Sequence, residues 1–187
     1  MMKEIHEQPK AVKDTISSVV KDGRIDFSNL EMTPEEIQNY SQIHIVACGS
    51  AYHVGVTTQY VMEDLAKIPV RTDLASEFRY RKPLLGKNDL VIVISQSGET
   101  ADTLAALREA KEKGVKTLAI VNVVGSSIAR EADHVFYTLA GPEISVATTK
   151  AYSTQLIAGY LLAIEFAKVR GEITDEKYND LLEEIQT

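Results

Sequence analysis

Five short apolar runs punctuate the chain: "IHIVAC" (43–48), "PVRTDLA" (69–75), "LVIVIS" (90–95), "KTLAIVN" (116–122) and "HVFYTLA" (134–140). Several are nearly continuous rather than alternating, the mark of strands covered on both faces. Between them the apolar positions fall three and four apart. "AYHVGVTTQYVMEDLAK" and "GETADTLAALREAKEKG" read as long helices, and "SEFRYRK" and "SSIAREA" as short ones. Strands alternating with helices imply parallel pairing through right-handed crossovers. The pattern therefore predicts an α/β fold, a three-layer αβα sandwich around a five-stranded parallel sheet; periodicity does not set strand order, and the flavodoxin-like order 2-1-3-4-5 is taken for it.

The flanks carry helical signals of their own. "EQPKAVKDTISSVVKDG" has Pro9 in the first turn, Val12, Ile16 and Val19 on one stripe and Gly23 as a stop, so a first helix is expected over the domain or against a partner. Thr33 followed by Pro34 predicts a capped helix start. A long helix is expected over 148–170, then Gly171 and a charged helix, "TDEKYNDLLEEIQ". These signals divide the chain into a lead-in (1–32), an αβα domain (33–171) and a C-terminal helix (172–187).

Composition narrows the function classes. A length of 187 residues, 44% hydrophobic and 25% charged, suits one globular domain with a sizeable core. The net charge of -7 argues against a broad basic face for nucleic acid, while leaving room for a small anion held locally. The single cysteine, Cys48, excludes an internal disulfide and a multi-cysteine zinc site. His6, His44, His53 and His134 show no paired spacing, so no metal or other cofactor is expected. No signal-peptide pattern opens the chain, and "LIAGYLLAIEFA" is too short between Gln155 and Glu165 to span a bilayer. The expectation is a cytoplasmic protein with no membrane partner.

In an open parallel sheet, ligands sit beyond the carboxyl ends of the strands where strand order reverses, here between the first and third strands. Those strands end in "CGSAY" (48–52) and "SQSGET" (95–100), each a glycine among small or hydroxyl residues at a strand-to-helix turn. Free N–H groups and the positive end of the helix dipole favour an anion there. Ser95, Ser97 and Thr100 add hydroxyls, which suits a phosphate monoester; the Walker lysine and the three-glycine dinucleotide fingerprint are both missing. The same residues also fit a plain helix cap, with Ser97 as cap and Glu99 and Asp102 favouring the dipole, and on chemistry alone the two readings are balanced. A third hydroxyl-rich stretch, "GPEISVATTKAY" (141–152), can close over a ligand near Val146 and Ala147, or be an ordinary loop with Thr148 as the next helix cap. Lys150 is expected at a surface or helix start, Glu143 to orient loop backbone or be solvated, and Glu99 to turn away from an anion towards the helix start. Cys48 reads as a small apolar filler, since no histidine is placed to activate it.

At these residues the sequence resembles the sugar isomerase (SIS) domain family, and within it the first SIS domain of the glutamine:fructose-6-phosphate amidotransferases. "KEIHEQP", "ACGSAYH", "ASEFRYR", "SQSGETADTL", "NVVGSSIAREAD" and "PEISVATTKAY" carry the resemblance over nearly the whole chain. It implies that Ser95, the Gln96 backbone, Ser97 and Thr100 bind the phosphate of a hexose 6-phosphate. Cys48, Gly49, Ser50, Val146 and Ala147 then lie near the sugar. No catalytic residue falls in this stretch, because the family's acid/base glutamate, histidine and lysine lie in a second SIS domain and a C-terminal tail, and its cysteine nucleophile lies in a glutaminase domain. Residues 172–187 would lead towards that second SIS domain. SIS domains commonly pair, so a homodimer through residues 156–164 and the first helix is expected. Two positions depart from the family: Ala51 stands where serine is usual and offers no hydroxyl, and Val124 replaces a usual proline. A free-standing SIS isomerase or deaminase of amino-sugar phosphates, or a non-catalytic sugar-phosphate sensor, is the alternative. A response-regulator-like domain is disfavoured, since it needs acidic residues where this chain has Cys48 and Ser95.

Overall fold

The computed structural model describes residues 1–187. Five parallel strands, β1 (Gln42–Ala47), β2 (Val70–Leu74), β3 (Asp89–Ser95), β4 (Lys116–Val121) and β5 (His134–Tyr137), pair in the order β2-β1-β3-β4-β5. This is the expected sheet, with its switch point between β1 and β3, where Ala47 pairs with Ile94.

The continuous apolar run of β3 is explained by its position, since all seven of its residues are buried. Leu90, Ile92 and Ile94 face one core, and Val91 and Val93 face another on the opposite side. Each such side chain contributes about 1.5–3 kcal/mol by leaving water, so a central strand needs no polar face.

On the first side the core is closed by α2 (Gln8–Val19), α3 (Pro34–Asn39), α4 (Ser50–Ala66), α8 (Lys150–Val169) and α9 (Asp175–Gln186). On the second it is closed by α5 (Ala75–Arg81), α6 (Ala101–Glu112) and α7 (Ser127–Glu131). A one-and-a-half-turn helix, α1 (Met2–His6), precedes α2. Helices α4 and α8 cross where Gly159 meets Thr58; a Cβ on Gly159 would stand 2.2 Å from the Thr58 hydroxyl, so only glycine allows the approach.

Thr33 caps α3 through a reciprocal box. Its hydroxyl accepts from the Glu36 N–H at 3.2 Å, and the Glu36 carboxylate accepts from the Thr33 N–H at 2.9 Å. Gly23 has a different role from the helix stop expected of it. α2 ends at Val19, and Asp22 (φ 51°) and Gly23 (φ 72°) make the two-residue turn of a ribbon pairing Val20–Lys21 with Arg24–Ile25. Asp-Gly is the favoured pair for such a turn because both residues adopt positive φ there.

The long helix, read from its apolar stretch as buried or at an interface, is largely buried in its own core. Leu161, Leu162, Ala163 and Ile164 are at most 3% exposed within this single chain, and with Ala158 and Gly159 also buried most of residues 156–164 belongs to its own core. Leu156, Ile157 and Tyr160 remain only half-buried.

Candidate functional site

β3, the central strand, ends in Ser95 at the carboxyl end of the sheet, and Ser95 is 4% exposed. Its hydroxyl accepts from the Gly98 N–H at 3.0 Å and shares a 2.9 Å hydrogen bond with the Thr100 hydroxyl. Gly98 sits at φ +67°, and a Cβ there would fall 2.0 Å from the Ser126 hydroxyl oxygen. The turn thus needs glycine on both conformational and steric grounds. Neighbouring backbone pins the loop: the Gln96 carbonyl accepts from the Asn122 N–H at 3.1 Å, and the Gly98 carbonyl from the Ile128 N–H at 3.0 Å.

Capping by Ser97 is corrected by this geometry. The tight turn at Gly98 postpones α6 until Ala101, so Thr100 is the N-cap residue, and its hydroxyl makes no cap bond. The Ser97 hydroxyl accepts instead from the Glu99 N–H at 3.2 Å, within the loop. Glu99 does turn away, though to a different helix: its carboxylate accepts from the Ser127 N–H at 2.7 Å, at the start of α7. That hydrogen bond from Ser127 holds the Glu99 carboxyl below the usual range.

The turn after β1 opens with Gly49 at φ 58°, ψ −134°, a conformation that favours glycine. Cys48 is half-buried, and its Sγ lies 3.8 Å from the Thr103 hydroxyl. The turn brings Cys48, Ser50 and Ala51 to a common cavity.

The third stretch is held from afar. Glu4 accepts from the N–H groups of Ile144 (2.7 Å) and Ser145 (3.2 Å). Glu7 pairs with Lys150 at 2.7 Å, and Ser153 donates to Gln8 at 2.6 Å. Lys150 is therefore no surface lysine: it sits at the start of α8 but is 4% exposed, and its hydrogen bond holds the Glu7 carboxyl below the usual range. Thr148 is not the cap of α8, whose N-cap residue is Thr149. Glu143 orders this segment, accepting from the Thr148 hydroxyl (2.7 Å), the Thr149 N–H (2.6 Å) and the Thr149 hydroxyl (3.1 Å).

These turns enclose a cavity of about 300 Å³. Ser95, Gln96, Ser97 and Thr100 line one side, Cys48, Ser50 and Ala51 another, and Glu143, Ser145, Val146 and Thr148 form the cover. Of the nine expected site residues, seven reach the wall; Gly49 and Ala147 do not. Gln155 also lines it and was missed. Its signal was a polar residue bordering the apolar stretch of a helix otherwise buried on most sides. Hydroxyls, N–H groups and a helix start suit an anion with a polyol body. Glu143 is the sole carboxylate of the wall, and both of its oxygens are engaged. The buried histidines lie elsewhere, with His44 on Asp89 at 3.2 Å and His134 on the Leu30 carbonyl at 3.0 Å.

A model of the SIS domain family matches residues 36–165. The chain belongs to the SIS domain family. Its relatives include a glutamine-fructose-6-phosphate aminotransferase (isomerizing) of Clostridium tetani, 57% identical over 99% of this chain. A protein of the same name from Methanosarcina mazei is 48% identical over 100% of it. This SIS chain spans 31% of the first relative's length and 30% of the second's. Among solved structures, the C-terminal domain of glucosamine-fructose-6-phosphate aminotransferase from Francisella tularensis superposes with a TM-score of 0.95 at 42% identity, covering 99% of this chain and 52% of that one. Glucosamine-6-phosphate deaminase from Thermotoga maritima is more distant, with a TM-score of 0.74 at 25% identity over 97% of this chain and 52% of that one. No helix of this SIS domain is long and apolar enough to cross a membrane.

Proposed function

We propose that this SIS domain binds a hexose 6-phosphate, fructose 6-phosphate or glucosamine 6-phosphate, as the first sugar-binding half of a glutamine-dependent amidotransferase that makes glucosamine 6-phosphate. The observation that carries this reading is the meeting of three hydroxyl-rich stretches around one cavity at the sheet's switch point. Ser95, the Gln96 backbone, Ser97 and Thr100 hold the phosphate. Cys48, Ser50 and Val146 border the sugar, while Gly49 and Ala147 shape the turns that carry them.

Converting fructose 6-phosphate to glucosamine 6-phosphate requires ring opening, imine formation with ammonia and proton transfer between adjacent carbons. A free acid/base group within hydrogen-bond reach of those carbons is needed for that. Glu143, with both oxygens engaged, is poorly suited to it. The domain's part is then to anchor and orient the substrate, with the proton-transfer groups supplied by a second SIS domain and C-terminal tail, and the ammonia by a glutaminase domain. In this reading residues 33–171 form the sugar domain, 1–32 its lead-in and 172–187 the link to the second half. A homodimer belongs to the same proposal, using the half-buried Leu156, Ile157 and Tyr160 of α8; sedimentation as a monomer at high concentration would remove it.

Ligand-linked stability tests the reading. Fructose 6-phosphate or glucosamine 6-phosphate at a hundred times its Kd should stabilise the fold by about 2.7 kcal/mol and raise the melting temperature. A folded chain whose melting temperature no hexose phosphate moves would overturn it. Turnover of glucosamine 6-phosphate by this chain alone would favour a free-standing deaminase or isomerase.

A further inference from the structure

Gln155 is 2% exposed on α8, and its side chain lines the cavity. Its amide makes no hydrogen bond within the protein, yet it is not sealed in the core as the orphaned Thr58 hydroxyl is. The amide therefore opens on the cavity. A carboxamide carries two donors and an oxygen with two lone pairs, and a buried one left unpaired is costly. Such a group in a native fold calls for a partner, and here the partner is reached from the cavity side.

Several neighbouring polar groups are already committed, while the Ser50 and Ser145 hydroxyls and the Gln96 amide on the same wall are as free as Gln155 but, unlike it, are not buried. The Ser95 hydroxyl bonds Thr100 and Gly98, Ser97 accepts from Glu99, and Glu143 and Thr148 bond each other. Ala51, on the α4 wall, has no polar side chain. Position then says which part of a ligand Gln155 meets. The phosphate loop opens α6 on one face of the sheet, whereas α8 packs on the other. A ligand whose phosphate lies at Ser95–Thr100 presents its distal body to Gln155.

We infer that Gln155 is a specificity-determining residue that hydrogen-bonds a hydroxyl of the hexose chain remote from the phosphate. This rests on the hexose 6-phosphate reading above and adds a reason for preferring a sugar phosphate to a bare anion: a site built to pair a hydroxyl discriminates against ligands that lack it. The same chemistry sets the stability effect. Replacing an amide that opens on the cavity with an apolar side chain of similar size breaks no hydrogen bond of the ligand-free fold, so that fold keeps its stability.

The test is titration calorimetry of the full 187-residue chain with fructose 6-phosphate and with inorganic phosphate, on the wild type, Gln155→Leu and Gln155→Met. Both variants should bind fructose 6-phosphate roughly tenfold more weakly. Inorganic phosphate should bind them as it binds the wild type, and their ligand-free melting temperatures should be no lower. Wild-type affinity for fructose 6-phosphate in both variants overturns the role. So does an equal loss for both ligands, or a lowered melting temperature in both variants, either of which assigns Gln155 to the fold. A wild-type chain that binds no hexose phosphate overturns the underlying reading instead, and this role with it.

Discussion

Two loops meet over the same cavity and differ in how far away their side-chain anchors lie. The loop from Ser95 to Thr100 ties itself together, with its Ser95 hydroxyl bonded to groups three and five residues on. The stretch from Gly141 to Thr149 is anchored by carboxylates far away in sequence, Glu4 lying 140 residues from Ile144 and Glu7 143 residues from Lys150. The first is also pinned by the Asn122 and Ile128 N–H groups, so it is fixed once β3, β4 and the start of α7 are in place. The second has local bonds too, from Thr148 and Thr149 to Glu143, but Ile144, Ser145 and Lys150 are held by the N-terminal helices, so that part of its order is coupled to whatever positions residues 1–10.

The largest expected effect falls on the local loop. Gly98→Ala adds strain at positive φ and a clash with Ser126, and should cost about 2–4 kcal/mol in urea unfolding along with hexose-phosphate binding. Gly114→Ala makes the contrast. It has φ +71° and open space around its Cβ, and should cost about 1 kcal/mol with binding intact. Equal losses would mean that the Ser126 contact is unimportant.

Ser95→Ala comes next, at about 1–2 kcal/mol, because it leaves the buried Gly98 N–H without its acceptor. Hexose-phosphate and inorganic phosphate affinities should fall together in calorimetry. A loss confined to the sugar phosphate would place Ser95 away from the anion.

Glu7→Gln probes the distant anchor and should weaken fructose 6-phosphate binding roughly tenfold while sparing inorganic phosphate. The Lys150 hydrogen bond holds the folded Glu7 pKa below 4.5. The stabilisation is therefore full above pH 4.5, is lost as pH falls through the lowered folded value, and is missing from the variant. Stability profiles of wild type and variant should converge on acidification. Parallel curves would dismiss the tether.

The smallest change is a control outside both loops. Thr33→Ala removes the α3 cap for about 1 kcal/mol and should leave every binding constant unaltered. A binding defect there would show that the site senses global stability and not loop geometry.

The same contrast explains what could be read from the chain. The strands were legible because burial on both faces demands unbroken apolar runs, as in "LVIVIS", and the switch-point site followed from strand order. Ser95, Ser97 and Thr100 were legible because their hydroxyls and Gly98 are neighbours in sequence. The start of α6 was not: Ser97 and Thr100 both satisfy capping preferences, and the choice turned on a positive φ at Gly98. Nor was the burial of Lys150, whose partner Glu7 lies across the whole domain. The helix stop assigned to Gly23 failed because one dipeptide serves both as a helix terminator and as a hairpin turn.

By itself, the sequence determined the αβα layering, the parallel sheet, the hydroxyl-rich loop that follows β3 and the family. Those features depend on periodicity and on residues a few positions apart, where steric and hydrogen-bonding preferences act directly. Only the tertiary structure decided that Glu4 and Glu7 shape the cavity's cover, that Glu99 leaves the site for α7, and that the Gln155 amide opens on the cavity. Each depends on which distant groups the packed core brings within hydrogen-bonding distance, and no local pattern carries that information.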